Sequence, residues 1–192
     1  MLITIDWLKE KGACAESLLA FKHRFPNGAE YQEVLDALAA EDRYDWGSWL
    51  LRVGGNTNAI LEVDELITEA SIFFAGKIIV KGILKTTKWL LSGGGIKAGE
   101  SIEAGWGIES GESIEAGGGI KAGGRIEAGE NIEAGGRIEA GWDFGIYAGL
   151  KIRISLKSQY AIVRAKTEPK DLLLGTFEKI EEKDQKESGN DA

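Results

Sequence analysis

The chain has 192 residues, with 23 Lys or Arg against 31 Asp or Glu and a formal net charge of −8. This balance argues against a protein that neutralises phosphates over a broad surface, because that mode of binding needs clustered Lys and Arg. The sequence has a single cysteine, no secretion-signal pattern at its start and no apolar run long enough for a membrane helix. We therefore expect one or two small domains in a cytoplasm, without an internal disulfide.

Residues 1–55 have the apolar spacing of short helices. The apolar residues recur in steps of three and four, at Leu18, Phe21 and Phe25, and then at Tyr31, Val34, Leu35 and Leu38. A Pro-Asn-Gly break separates these two stripes, and a third stripe follows between Asp45 and Leu51. The pattern predicts a module of three helices that needs support from the rest of the chain, because so short a segment buries little surface alone.

Glycine is concentrated in one region, since eighteen of the 27 glycines lie between Gly93 and Gly149. In the same region isoleucine recurs every six residues, with Ala or Ser two positions later and Gly three positions later. These isoleucines are Ile96, Ile102, Ile108, Ile114, Ile120, Ile126, Ile132 and Ile138. A flexible linker has no reason to hold β-branched residues in register, so the pattern indicates ordered structure.

A period of six is typical of one side of a parallel β-solenoid, where a strand of about three residues precedes a bend. Within Ile-Glu-Ala, alternation along the strand points Ile and Ala inward and Glu outward. Glycine would serve the bend, where the backbone can need a positive φ. The predicted fold is mainly β: a parallel β-solenoid of hexad repeats with about eighteen residues per coil and a small α-helical N-terminal module.

The register extends beyond the obvious repeats. Counting in sixes reaches back to Ile60 and forward through Phe144, Leu150 and Leu156 to Ile162, which predicts about six coils. The predicted domains are the helical module at 1–55, the solenoid at 58–166, and a C-terminal segment at 167–192 that ends in an acidic, disordered tail. Because a solenoid needs covered ends, we expect the helical module to cap the first end and residues 160–166 to finish the other.

Four outward glutamates are candidate partner-binding residues. Glu109 and Glu127 are predicted one coil apart, as are Glu115 and Glu133, and like charges so placed destabilise a sheet. An acidic, regular rod can imitate the charge pattern of duplex nucleic acid and bind a basic partner with salt-sensitive affinity. The alternative is that these carboxylates only keep the surface soluble.

Two tryptophans are the other candidates for partner binding. Trp106 and Trp142 each follow an Ala-Gly pair and lie two coils apart, so they are predicted to share a column with Gly124 between them. The gap, beside Arg125, would admit a planar group or a partner side chain, because exposed Trp is typical of interfaces. The alternative is that both rings pack on the helical module, a crossing loop or a second chain.

The sequence has no pattern of catalytic or metal-binding residues. Cys14 and His23 are nine residues apart, which is the spacing of neither metal ligands nor a helical face, and Cys14 is expected to be a small buried residue. Hexapeptide-repeat acyltransferases share six-residue sides but rely on a His, which the repeats lack. We expect a protein that is not an enzyme and has no cofactor or metal.

Two resemblances carry the functional hypotheses. The Ile-x-Ala-Gly sides over about 93–149 resemble bactofilins, which implies a polymer-forming structural protein. More of the chain is similar to uncharacterised phage and prophage proteins, through WLKEKGAC at 7–14, FPNGAEYQEVLDAL at 25–38, YDWGSWLL at 44–51 and SIEAGWGIESGESIEAG at 101–117. That similarity implies a bacterial or phage source, and with it a phage-encoded protein that disables a host defence factor in the bacterial host cytoplasm.

The first functional hypothesis is therefore a protein that inhibits or sequesters a host protein, one that itself could be a nucleic-acid-binding defence factor. The chain is not expected to bind nucleic acid or membranes directly. The second hypothesis is a structural protein whose solenoids assemble into polymers.

Overall fold

The computed structural model describes residues 1–180. The tail predicted over about 178–192 lies outside the described residues from position 181 onward.

The helical module contains four helices and a two-stranded antiparallel sheet. The sheet pairs β1 (Leu2–Ile3) with β2 (Ala29–Glu30), and the helices are α1 (Ile5–Glu10), α2 (Ala15–Arg24), α3 (Tyr31–Ala40) and α4 (Tyr44–Gly54). The first helix, which was not among the three expected, begins where the Thr4 hydroxyl accepts a hydrogen bond from the Trp7 amide at 3.2 Å. Tyr31 is buried in the core of the module, and its hydroxyl donates to the carbonyls of Leu50 and Gly55 at 3.2 and 3.0 Å.

The rest of the described chain forms a parallel β-solenoid of about seven turns, which confirms the predicted fold class. Its strands are β3 (Ile60–Val63), β4 (Leu66–Thr68), β5 (Ile72–Phe74), β6 (Lys77–Val80), β7 (Leu84–Thr86), β8 (Leu90–Ser92), β9 (Ile96–Ala98), β10 (Ile102–Ala104), β11 (Ile108–Ser110), β12 (Ile114–Ala116), β13 (Ile120–Ala122), β14 (Ile126–Ala128), β15 (Ile132–Ala134), β16 (Ile138–Glu139), β17 (Ile146–Tyr147), β18 (Ile162–Ala165), β19 (Leu172–Leu174) and β20 (Thr176–Lys179). From β3 to β18 every third strand joins the same sheet, and the three sides are sheets of five, six and seven strands.

The predicted register holds through the repeats. In the seven-stranded sheet Ile78 pairs with Ile96, Ile96 with Ile114 and Ile114 with Ile132, each eighteen residues apart. The Ile side chains of the repeats are buried inside the solenoid, and so are the Ala side chains except that of Ala140, which is partly buried. Ser110, which replaces Ala in one repeat, is also buried, and its hydroxyl donates to the Gly94 carbonyl at 2.7 Å, so its polar group is satisfied.

The strand register departs from the six-residue period at both ends of the solenoid. The prediction that every sixth residue from Ile60 to Ile162 is equivalent is therefore wrong at these ends. Leu61, rather than Ile60, pairs with Ile78, and Ile60 is exposed. At the other end Ile146, rather than Phe144, pairs with Ile126.

Beyond β17 the chain leaves the regular coil. A 3-10 turn at Ile154–Leu156 and α5 (Lys157–Tyr160) follow, so Leu150 and Leu156 are exposed instead of buried. Strands β19 and β20 then pair with β17 and β18, so the sheets continue to Lys179, past the expected limit at residue 166.

Close packing between coils explains the glycine that ends each Ile-x-Ala-Gly unit. None of these eight glycines has the positive φ that was suggested for the bend. A Cβ added to Gly123 would instead lie 1.9 Å from the carbonyl oxygen of Gly105, one coil earlier, and a Cβ on Gly105 would lie 1.9 Å from that of Thr87. Glycine at this position therefore permits close approach of successive backbones.

The helical module packs on a side of the solenoid and does not cap its end as predicted. Phe73 of β5 and Leu91 of β8 point outward from the six-stranded sheet and are buried in the core of the module. Gln32 of α3 donates to the Phe73 carbonyl at 2.8 Å and accepts from the Ala75 amide at 2.9 Å, which satisfies backbone groups of the edge strand β5. The module thus covers the early coils of one sheet and depends on the solenoid for part of its core.

Candidate functional site

A polar cavity of about 390 Å³ lies between the helical module and the six-stranded sheet. We call it the junction cavity. Its lining includes Glu109, Glu127 and Arg125, which are three of the seven predicted site residues, together with Arg52 of α4 and Lys151. The tertiary structure therefore places these three residues under the module and not on the open outer face of the solenoid.

Glu109 joins the module to the solenoid. Its carboxylate accepts hydrogen bonds from the Tyr44 and Ser48 hydroxyls of α4, both at 2.9 Å. Burial raises the pKa of Glu109 above its ordinary value, while the Ser48 hydrogen bond and the charges of Arg52 and Lys151 act in the opposite direction. The side chain that was predicted to bind a partner is thus engaged within the chain.

When pH is raised from about 4 to about 7, the free energy of unfolding is expected to fall less in the Glu109→Gln variant than in the wild type. The pKa of Glu109 is higher in the folded state than in the unfolded state. The contribution of Glu109 to the stability of the fold is therefore most favourable below the unfolded-state pKa, and it declines as pH rises through the folded-state pKa. Glutamine keeps an acceptor for Tyr44 and Ser48 but has no charge. Urea unfolding at both pH values measures the difference, with exposed Glu65→Gln as the control. Identical pH dependence of Glu109→Gln and the wild type would contradict this assignment.

Glu127 lies directly opposite Glu109 in the neighbouring strand, as predicted. Burial raises its pKa, the Arg125 charge acts to lower it, and the Glu109 charge raises it further. The Arg125 Nε is 2.9 Å from a Glu127 carboxylate oxygen, and the Arg125 guanidinium lies 5.0 Å from the centre of the Tyr44 ring. Arg125 therefore contacts both the helical module and the solenoid, and it does not border the open gap that was predicted between Trp106 and Trp142.

Trp106 is half-exposed and belongs to an aromatic cluster at the same junction. Its ring meets Trp89 edge-on, with ring centres 5.9 Å apart, and Trp89 stacks on Tyr44 of the module at 4.0 Å. This arrangement corresponds to the alternative hypothesis, in which Trp106 packs towards the helical module. Trp106 is therefore part of the contact between the solenoid and the helical module.

Trp142 does not complete the predicted column. In the regular coils the Trp106 amide donates to the Lys88 carbonyl, eighteen residues earlier. At the corresponding place two coils later Gly141, and not Trp142, donates to the Gly124 carbonyl at 2.9 Å, so the chain has advanced by one residue. Trp142 is 94% exposed. A ring sandwiched between the two tryptophans is therefore not the geometry of this site.

Glu115 and Glu133 lie on the seven-stranded sheet and pair in register, as predicted. Cations lie on both sides of this pair: Lys97 Nζ is 2.8 Å from Glu115, and Arg164 Nη1 is 2.6 Å from Glu133. The carboxylates of Glu115 and Glu133 are therefore each paired with a cation of a neighbouring coil.

Several large apolar side chains between β16 and β18 are exposed, and apart from Trp142 the sequence did not predict their exposure. We define the 142–160 surface by its exposed large apolar side chains, which are Trp142, Phe144, Leu150, Ile154, Leu156 and Tyr160. Lys151, Arg153 and Lys157 lie in the same segment, with one acidic residue, Asp143. The sequence signal was the loss of the Ala-Gly pair after Gly141, which marks the end of the regular repeat.

The helical module has a second cavity, an apolar groove of about 860 Å³ between its four helices. Phe25, Leu38, Trp46 and Trp49 are among its lining residues. Cys14 also lines it and is exposed, which corrects the expectation that it is buried. Helical spacing predicted the buried stripes but not this groove, because its walls come from four separate helices.

Within residues 1–180, no cluster of three or more His, Cys, Asp or Glu side chains has the arrangement of a metal site. No helix in this part of the chain has the length and hydropathy needed to cross a membrane.

Comparison with known proteins yields one match. No curated protein and no solved structure matches the chain. Residues 1–54 match the family model described as the YdhT N-terminal domain, and this range coincides with the four helices of the module. The helical module of this chain is therefore similar to the YdhT N-terminal domain.

Proposed function

We propose that this chain is a non-enzymatic, phage-encoded protein that inhibits or sequesters a host protein, and that it binds this partner through the 142–160 surface. The observation that carries the proposal is the exposure of large apolar side chains on that surface, above all Trp142 at 94% and Ile154 at 88%. A concentration of exposed large apolar side chains in one segment is a feature of interaction sites, and Trp is enriched among the residues that dominate binding energy.

The charged residues of the 142–160 surface indicate which kind of partner could bind there. Arg153 and Lys157 are interleaved with the apolar residues. A partner with acidic groups around an apolar pocket would complement this pattern, and rim charges of this type mainly accelerate association. We therefore propose a partner whose association rate falls as salt concentration rises.

The outward glutamates do not support nucleic-acid mimicry as the means of binding. Glu109 is hydrogen-bonded to α4, and Glu115, Glu127 and Glu133 each have a cationic neighbour within 3 Å. A mimic of duplex nucleic acid needs a row of uncompensated negative charge. The proposal accordingly relies on Trp142 and its neighbours.

The double variant Trp142→Ser/Ile154→Ser is expected to lose at least about tenfold in affinity for a protein captured from bacterial lysate. Both side chains are almost fully exposed, so their replacement removes binding area without disturbing a core. Titration of the captured protein, at low and high salt, measures the effect.

The matched control is Leu19→Ser/Ile67→Ser, which removes two exposed apolar side chains elsewhere on the chain. The control is expected to bind like the wild type. Equal binding by all three proteins would contradict the proposed surface.

The exposed edges of the first coil support a second candidate function, that of a structural protein whose solenoids stack end to end. The edge strands β3, β4 and β5 lie at one end of the three sheets, and Leu61, Leu66 and Phe74 there are only partly buried. Unpaired strand edges can pair with another chain. Filaments seen by electron microscopy that persist in the Trp142→Ser/Ile154→Ser variant would favour this candidate.

A further inference from the structure

The outer face of the five-stranded sheet has a column of charged residues whose sign alternates along the solenoid. We call this set the charge column; its members lie one coil apart and are, in order, Lys85, Glu103, Lys121 and Glu139. Each follows the inward Leu or Ile of its strand and therefore points outward. The helical module packs on a different sheet, so the charge column is open to solvent.

The pairing of these charges within the chain is incomplete. The Lys85 ammonium is 2.7 Å from the Glu103 carboxylate, and Arg137 lies 4.0 Å from Glu139. Lys121 stands in register between Glu103 and Glu139 but is in no ion pair with the residues that the structure describes. A positive charge in the middle of the column is thus available to an external carboxylate.

The charge column is complementary to a reversed copy of itself. A two-fold axis that is parallel to the strands and passes between β10 and β13 would bring the same face of a second copy opposite this one. Glu103 then faces Lys121 of the second copy, and Lys85 faces its Glu139. Packed sheets lie about 10 Å apart, a distance that facing lysine and glutamate side chains can bridge. The seven-stranded sheet lacks strict alternation, because its Glu115 and Glu133 are adjacent.

The turns that flank β10 and β13 are complementary in size under the same rotation. Each large turn residue of one coil faces a glycine of the other coil in the second copy. The facing pairs are Glu100 with Gly118, Ser101 with Gly119, Trp106 with Gly124, and Arg125 with Gly107. Glycine at such positions permits close approach of another backbone. The two faces can therefore meet without collisions between large side chains of these turns.

We propose that the chain forms a symmetric dimer through the outer face of the five-stranded sheet, with the two solenoids antiparallel. The same patch is used by both copies, so the contact is isologous and closes at two chains. Exposed ion pairs each contribute little, so the dissociation constant is expected to be on the order of 100 µM and to rise with salt concentration. This face differs from the 142–160 surface, and the inference is independent of the proposed host partner.

The first test is sedimentation equilibrium of the full chain. The mass is expected to rise from 20.7 kDa at low concentration to twice that value at about 1 mM and no further, and to fall again in about 0.5 M NaCl. Lys121→Glu should weaken association at least about tenfold, because it places carboxylates opposite each other at two points. Lys97→Glu is the matched control: it makes the same change in an Ile-Lys-Ala strand of the seven-stranded sheet and should dimerise like the wild type.

The second test separates contacts between chains from contacts within one chain. The double variant Glu103→Lys/Lys121→Glu places like charges side by side along its own column, at positions 85 and 103 and at positions 121 and 139. Across the two-fold axis, however, it restores opposite charges at every contact. It should therefore dimerise again, whereas a charge column that acts only within the chain gives no such recovery. Circular dichroism of each variant checks that the solenoid is folded.

Three results would each overturn the inference: a wild type that stays at the monomer mass, a Lys121→Glu variant that dimerises like the wild type, or a folded double variant that stays monomeric. The Trp142→Ser/Ile154→Ser variant should dimerise normally. A dimer that is lost in that variant would assign self-association to the 142–160 surface and would likewise overturn the inference.

Discussion

Replacement of Phe73 by alanine is expected to destabilise the chain by about 3–5 kcal/mol and to loosen the helical module from the solenoid. Phe73 is 2% exposed and lies in the core of the module although it belongs to strand β5. A Cβ added to Gly47 of α4 would come within 2.6 Å of the Phe73 ring, so helix and ring are in close contact. Removal of the ring leaves a cavity in the core that the module shares with the six-stranded sheet.

Urea unfolding followed by tryptophan fluorescence measures this effect, and limited proteolysis reports separately on the module. The control is Ile67→Ala, because Ile67 lies in the same coil but is 58% exposed on another sheet. Unchanged unfolding and proteolysis of Phe73→Ala would mean that the module does not depend on the solenoid.

Replacement of Gly123 by alanine is expected to destabilise the solenoid by about 2–3 kcal/mol. The added methyl group would lie 1.9 Å from the Gly105 carbonyl oxygen, so two coils must separate locally. Because each coil is stabilised mainly by its neighbours, the cost should appear as lower cooperativity as well as a lower unfolding midpoint.

Gly119→Ala is the matched control in the same turn of the chain. Its added methyl group would lie 3.2 Å from the nearest atom, the Arg137 carbonyl oxygen, so a small shift accommodates it. Thermal unfolding of the two variants by circular dichroism makes the comparison. Equal midpoints would contradict close approach as the reason for glycine at the end of each repeat.

Glu109 and Trp142 show which features of the candidate site could be predicted from the sequence and which could not. Sequence spacing correctly placed Glu109 opposite Glu127, because the parallel register follows from the repeat. It could not predict that α4 covers Glu109, since that contact joins residues 61 positions apart. Trp142 was correctly singled out as exposed, but its predicted column failed because the chain slips by one residue at Gly141.

The sequence by itself determined the solenoid, its register of eighteen residues, the direction of each repeat side chain and the existence of a helical module. These features depend on local periodicity, which is repeated enough times in one chain to leave no other solution. The tertiary structure alone decided where the module docks, which glutamates are buried, where the coil is interrupted and where the apolar groove and the 142–160 surface lie. Those features arise from contacts between segments distant in sequence, which have no period that can be counted.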